Sequence, residues 1–98
     1  MGSSVKSAEF LIASRLSGAA KGSPDACLDL GMAYSCGTGG VDIDLIEAHK
    51  WFNLAALNGS EAAQAFRSDI AEEMTAREIA EAQRQARAWI IGMQVGVA

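Results

Sequence analysis

An all-α domain of about five antiparallel helices is the fold class this sequence predicts, on three observations. Of the 98 residues, 19 are alanine and 10 glycine, while proline occurs once and threonine twice. Small residues let helices approach closely, and the β-branched and aromatic residues that strands favour are scarce. Apolar residues also recur at three- and four-residue spacing in five separate stretches. Finally, the interruptions between those stretches carry capping and turn chemistry rather than long polar tracts.

The first helix is expected from about Val5 to Ala20, with Ala8, Ile12, Leu16 and Ala19 or Ala20 on one stripe. Phe10 and Ala13 lie off that stripe, so neighbours on two sides are expected. Gly22-Ser23-Pro24-Asp25 then supplies a stop and a start: a glycine free to take positive φ, an N-cap serine, a proline at the first helical position and an aspartate facing the helix dipole. The second helix runs to about Cys36, with Cys27, Leu30, Gly31 and Tyr34 on its inner face. An interior glycine costs a helix about 1 kcal/mol relative to alanine, so Gly31 implies a neighbouring helix backbone pressed against it.

Gly37-Thr38-Gly39-Gly40 reads as a turn, and Asp44 with Glu47 makes an acidic capping box for a third helix. Its buried stripe is Leu45, Ala48, Trp51, Phe52 and Ala55, with Glu47, Lys50, Asn53 and Asn58 facing solvent. Asn58-Gly59 ends it, and Ser60 caps a fourth helix whose inner face is Ala62, Ala63, Phe66 and Ile70. Thr75 and Glu78 form a second capping box, opening a fifth helix with Ile79, Ala82, Ala86, Trp89 and Ile90 inward and an Arg77–Glu81 pair outside. Met1-Gly2-Ser3-Ser4 reads as an expression leader, residues 5–92 as the domain, and residues 93–98 as an apolar tail without a helix signal.

Net charge is −4 and no lysine or arginine cluster offsets it locally, which disfavours nucleic acid as a partner. No apolar run reaches the roughly 18 residues that a membrane span needs. Cys27 and Cys36 stand nine positions apart in one expected helix, about 13 Å along its axis, too far for a disulfide to each other. Two free thiols favour a reducing, cytoplasmic compartment; a periplasmic or secreted location is the alternative if a leader peptide has been removed.

The central segment is the most informative. In order stand Ala26, Leu30, Gly31, Tyr34, Gly37 and Gly39, then Val41, Asp44, Ala48, Trp51, Ala55, Ala56, Gly59 and Ala63. Their order and spacing resemble the Sel-one-like repeat, an α/α branch related to tetratricopeptide repeats, with Gly40 as one extra turn residue. The resemblance places a full repeat at residues 26–63, flanked by capping helices at residues 5–21 and 64–91 in which the pattern decays. Leu11, Ser14 and Arg15 replace an alanine and two aromatics, and Arg67 and Ser68 replace Leu-Gly. The segment from Met74 to Trp89 resembles the closing helix that often follows such repeats, mainly in bacterial proteins. A tetratricopeptide-like α/α superhelix is the implied fold, and a protein-interaction module, adaptor or regulatory subunit is the implied function.

Chemistry-bearing residues offer little beside this. His49, the single histidine, has no serine and carboxylate, nor a cysteine, arranged around it as a nucleophilic triad requires; it reads as a partly exposed helix residue. Asp42 and Asp44 lack the further oxygen ligands of a calcium loop, so no metal is expected. Cys36 has no basic neighbour to activate its thiol. No catalytic residue and no cofactor is expected. The resemblance places the partner-binding surface on the free, concave face of the second helix, at Asp29, Met32, Ser35 and Cys36, for a protein or peptide partner. Two alternatives stay open: a hydrolase of β-lactam or peptidoglycan type, as in the cysteine-rich branch of the family, and a self-associating unit whose first helix and C-terminal tail cover each other in a homodimer. Cys27 sits at one cysteine position of that branch, but no thiol stands at the partner position near Ala19.

Overall fold

The computed structural model describes the backbone of residues 3–96 and the side chains of residues 10–93. Five helices follow in chain order: α1 (Ser3–Ala20), α2 (Pro24–Cys36), α3 (Leu45–Leu57), α4 (Glu61–Ala71) and α5 (Ala76–Gly96), with no strand among the described residues. They stack as an α/α superhelix filling 40 × 38 × 23 Å, and α3 is its hub, packing against α2, α4 and α5, while α1 packs against α2.

The helices begin where polar caps allow. Ser23 is extended and its Oγ accepts the Ala26 N–H at 3.2 Å, with Pro24 next in line. Ser60 does the same for α4 through the Ala63 N–H at 3.3 Å. At α5 the capping box is complete: Thr75 Oγ1 accepts the Glu78 N–H at 3.1 Å, and Glu78 Oε1 accepts the Thr75 N–H at 2.8 Å. At α3 only half of the expected box forms. Asp44 Oδ1 accepts the Glu47 N–H at 3.1 Å, but the Asp44 N–H donates to the Tyr34 carbonyl at 2.9 Å. That carbonyl lies in the last turn of α2 and lacks an intrahelical donor, so the bond ties the end of one helix to the start of the next. Glu47 is thereby released toward Trp51.

Between them, α2 ends on Gly37 at φ 71°, a left-handed conformation, and its N–H donates to the Ala33 carbonyl at 2.8 Å. A side chain there would also meet Ile43 Cγ1 at 2.9 Å. Both backbone shape and space therefore select glycine.

The buried core joins Leu30 of α2 to Ala48, Trp51, Phe52 and Ala55 of α3, Ala63 of α4 and Ala86 of α5. Gly31 is buried as expected, but it meets a side chain rather than a backbone: a Cβ at Gly31 would clash with the Phe52 ring, 2.5 Å from its Cε1. Phe52 in turn stacks on Phe66 of α4, centroids 5.6 Å apart at 22°. Trp51 meets Trp89 of α5 edge to face, centroids 4.9 Å apart at 74°. Trp51 is buried and Tyr34 half-buried, so both wedge between helices. Burial, then the charges of Glu47 and Asp44, raise the Tyr34 hydroxyl pKa.

Several expectations are corrected. His49 is buried at 3% exposure, not partly exposed. Lys50 and Asn53 are half-buried: Lys50 lies over the Trp51 ring, 4.7 Å from its centroid, and Asn53 accepts a hydrogen bond from Arg67. Ala62 faces out. Leu16 and Ala20 are exposed, and Phe10 is 72% exposed, because the main packing of α1 is against one neighbour, α2. Ala8 lies outside the described side chains. Glu81 pairs with Arg84, at 2.6 and 2.8 Å, and with Gln85 instead of Arg77, and these bonds, Arg84 first, hold its carboxyl down to about 2. The segment from residue 93 is helical as far as Gly96, one continuous extension of α5.

The Gly31–Phe52 contact can be tested by substitution. Gly31→Ala gains about 1 kcal/mol of helix propensity but overpacks the Phe52 ring, a change that typically costs about 1–3 kcal/mol. Thermal denaturation should therefore give a lowered Tm, recovered in part by adding Phe52→Leu; an unchanged or raised Tm for Gly31→Ala alone would show that the two helices are not held at this spacing.

Candidate functional site

Two surfaces could meet a partner. The first is the outer face of α2, which carries the four residues expected from the sequence. Asp29 is exposed and pairs with Arg15 Nε of α1 at 2.9 Å, with side-chain exposures of 53% and 40%. Pairs this open contribute at most about 1 kcal/mol, so Asp29 stays available to a competing cation. Met32 turns partly inward and packs on the core. Ser35 is half-buried and donates its hydroxyl to the Met32 carbonyl at 3.1 Å. Cys36 is exposed, its Sγ 3.6 Å from Ser35 Oγ. Of the four, Asp29 and Cys36 are the exposed ones, while Met32 is drawn toward the core and Ser35 is half-buried.

The second surface is a cleft of about 200 Å³ where the C-terminal ends of α1, α3 and α5 converge. Ala19, Leu54, Leu57, Trp89, Ile90 and Met93 supply most of its wall, with Asn58 and Gly22 at the edge. Leu57 is 65% exposed on its rim. Sites for drug-sized ligands run to about 300–1,000 Å³, so this cleft suits one or two apolar side chains rather than a cofactor. Residue-by-residue reading misses it, since its walls come from three helices far apart in sequence. Leu57, an apolar residue at the end of α3 and off its buried stripe, is the one local signal.

A polar cluster lies on the other side of Trp89. Glu47 Oε2 accepts the Trp51 Nε1–H at 3.0 Å, and Glu47 Oε1 lies 3.6 Å from Lys50 Nζ, which sits over both tryptophan rings. Glu47 and Lys50 are matched within the cluster, which fastens α5 to α3. His49 of α3 is buried with its Nδ1 unpartnered, and Asp44 is spent on capping. No group of three or more His, Cys, Asp or Glu among the described residues could hold a metal. No helix among them is long and apolar enough to cross a membrane.

This geometry, a helix pair clasped through a glycine and extended at both ends by further antiparallel helices, defines an α/α helical-repeat protein. Residues 24–60, which form α2, the glycine turn and α3, match the family model of the Sel1 repeat. The match begins two residues before the expected repeat and ends three before its close. Neither the curated proteins nor the solved structures gave a match.

Cys27 and Cys36 are free thiols at opposite ends of α2 in opposite surroundings. Burial raises the Cys27 thiol pKa, offset in part by a hydrogen bond with Asn58, whereas Cys36 is open to solvent. A thiol reagent at neutral pH should therefore titrate one cysteine promptly in the native protein and both in denaturant. Peptide mapping should place the first label on Cys36; prompt labelling of Cys27 would contradict the core packing described above.

Proposed function

We propose that this chain is a protein-interaction module that receives apolar side chains of a protein or peptide partner in the α1–α3–α5 cleft. The observation that carries the reading is the open, apolar-walled cleft with Leu57 exposed at its rim, beside a repeat whose family points to protein binding. Apolar pockets of this kind anchor the few side chains that dominate an interface. The outer face of α2, with Asp29, Met32, Ser35 and Cys36, is the second surface we assign to partner contact. There Asp29 supplies charge and Met32 an adaptable apolar surface.

The module has no chemistry of its own in this reading. Burial withdraws His49 from any substrate, and the family to which residues 24–60 belong is generally non-catalytic. Self-association is the second reading, favoured by Phe10, Leu11 and Leu16, at 72%, 45% and 37% exposure on α1. Sedimentation as a monomer at micromolar concentration removes it. The C-terminal residues that such a dimer was expected to use carry side chains outside the described residues from 94 onward.

The test compares partners captured by the wild type with those captured by Leu57→Asp and by Asp29→Lys, each checked for unchanged helicity. Both substitutions sit on exposed positions. Loss of a specific partner with Leu57→Asp, at about 5- to 30-fold weaker affinity, would match the removal of one apolar anchor worth roughly 1–2 kcal/mol. Loss with Asp29→Lys alone would move the working surface to α2. Identical partner lists for all three proteins would overturn the proposal.

A further inference from the structure

The seam between α3 and α4 holds a feature that the interaction reading does not use. His49 is 3% exposed, and its Nδ1 is buried with no hydrogen-bond partner. One turn further along the same face of α3, Asn53 Oδ1 accepts a hydrogen bond from Arg67 of α4, and beside it Phe52 stacks on Phe66 of α4. These two contacts pin α4 against the part of α3 that carries His49. Arg67 is the charged group whose field reaches His49; no carboxylate of α2, α4 or α5 among the described residues does so.

A neutral imidazole fits this setting, because one ring nitrogen can remain an unprotonated acceptor at modest cost. An imidazolium does not. It carries two N–H donors, and Nδ1 would point one of them at no acceptor inside the protein. Its charge would be buried without a counterion and beside the Arg67 guanidinium. The strain is relieved if α4 lifts, which lets water reach Nδ1 and moves Arg67 away.

We propose that His49 is an acid-sensitive latch: taking up a proton in mildly acidic conditions releases α4 from α3 and uncovers the Phe52–Phe66 stack, while the α2–α3 hairpin stays folded. The direction follows from linkage. Burial first, and the Arg67 charge second, lower the His49 pKa from its free value of 6.5. The open state therefore binds the proton more readily than the closed one, and closure is favoured above the free value and lost as pH falls below it. Between the free and the lowered values the opening equilibrium shifts by up to about tenfold per pH unit. Histidine is the side chain whose ordinary titration falls in this range, and carboxylates that follow their usual values remain ionised through most of it.

Amide hydrogen exchange of the whole chain at about pH 7 and about pH 5, corrected for intrinsic rates, reads the latch directly. Amides of α4 should lose protection relative to those of α2, by up to about tenfold for each pH unit between the free and the lowered value, and His49→Gln, which cannot titrate, should abolish the difference. An α4 protection that does not change, a loss shared equally by α2 and α4, or the same loss in His49→Gln would each overturn the proposal. If His49→Gln does not fold, the imidazole resonances of the wild type decide instead. A titration midpoint below that of a free histidine supports the latch, and one at or above it overturns it.

Discussion

The spacing of α2 and α3 is set by a missing side chain. Gly31 leaves room for the face of Phe52, and Phe52 thereby reaches far enough to stack on Phe66 of the next helix. One absent methyl group thus governs two interfaces, because the ring that fills the space is also the platform for α4. Interiors pack at crystal-like density, so such a ring cannot be displaced by half an ångström without moving its second neighbour. The rest of the arrangement follows: with α2 and α3 fixed, Trp51 is presented to Trp89, and α5 closes the other side of α3.

Polar chemistry then secures ends rather than centres. Serine and threonine caps start α2, α4 and α5, and the Asp44 N–H links α3 to the open carbonyl of Tyr34. Glu47 shows how one carboxylate divides its roles: released from the capping box, it orients Trp51 and draws Lys50 across two aromatic faces. The helix least secured in this way is α1, whose Phe10 and Leu11 face solvent. Its side-chain link to α2 is the open pair Arg15–Asp29, and its C-terminal turn at Ala19 forms one wall of the cleft.

Much of this was legible from local pattern. Ser23-Pro24, Asp44, Ser60 and Thr75-x-x-Glu78 each mark a helix start that the structure places at that residue, since a cap is satisfied by atoms within three positions. Ends without such chemistry were misread: Gly92 suggested a stop, yet α5 passes through it with open space where a side chain would stand, and the helix continues to Gly96. Burial set by distant partners was also illegible. His49 looked exposed because the helical stripe beside it was already filled; its burial depends on the packing of other helices, among them α4, whose Arg67 and Phe66 meet the neighbouring Asn53 and Phe52. Of the surfaces, the α2 face could be anticipated from the repeat, while the cleft needs three helix ends brought together by the fold.

Both tryptophans of the chain meet at one place, the contact of α3 with α5. Their intrinsic emission is therefore a spectroscopic gauge of a single joint, quenched or shifted when that joint loosens or when the cleft that Trp89 shares with Ala19 of α1 opens. An unfolding curve followed by fluorescence reports this joint and one followed by circular dichroism the helices as a whole, so any gap between the two would time the loosening of the α3–α5 contact against the loss of helix.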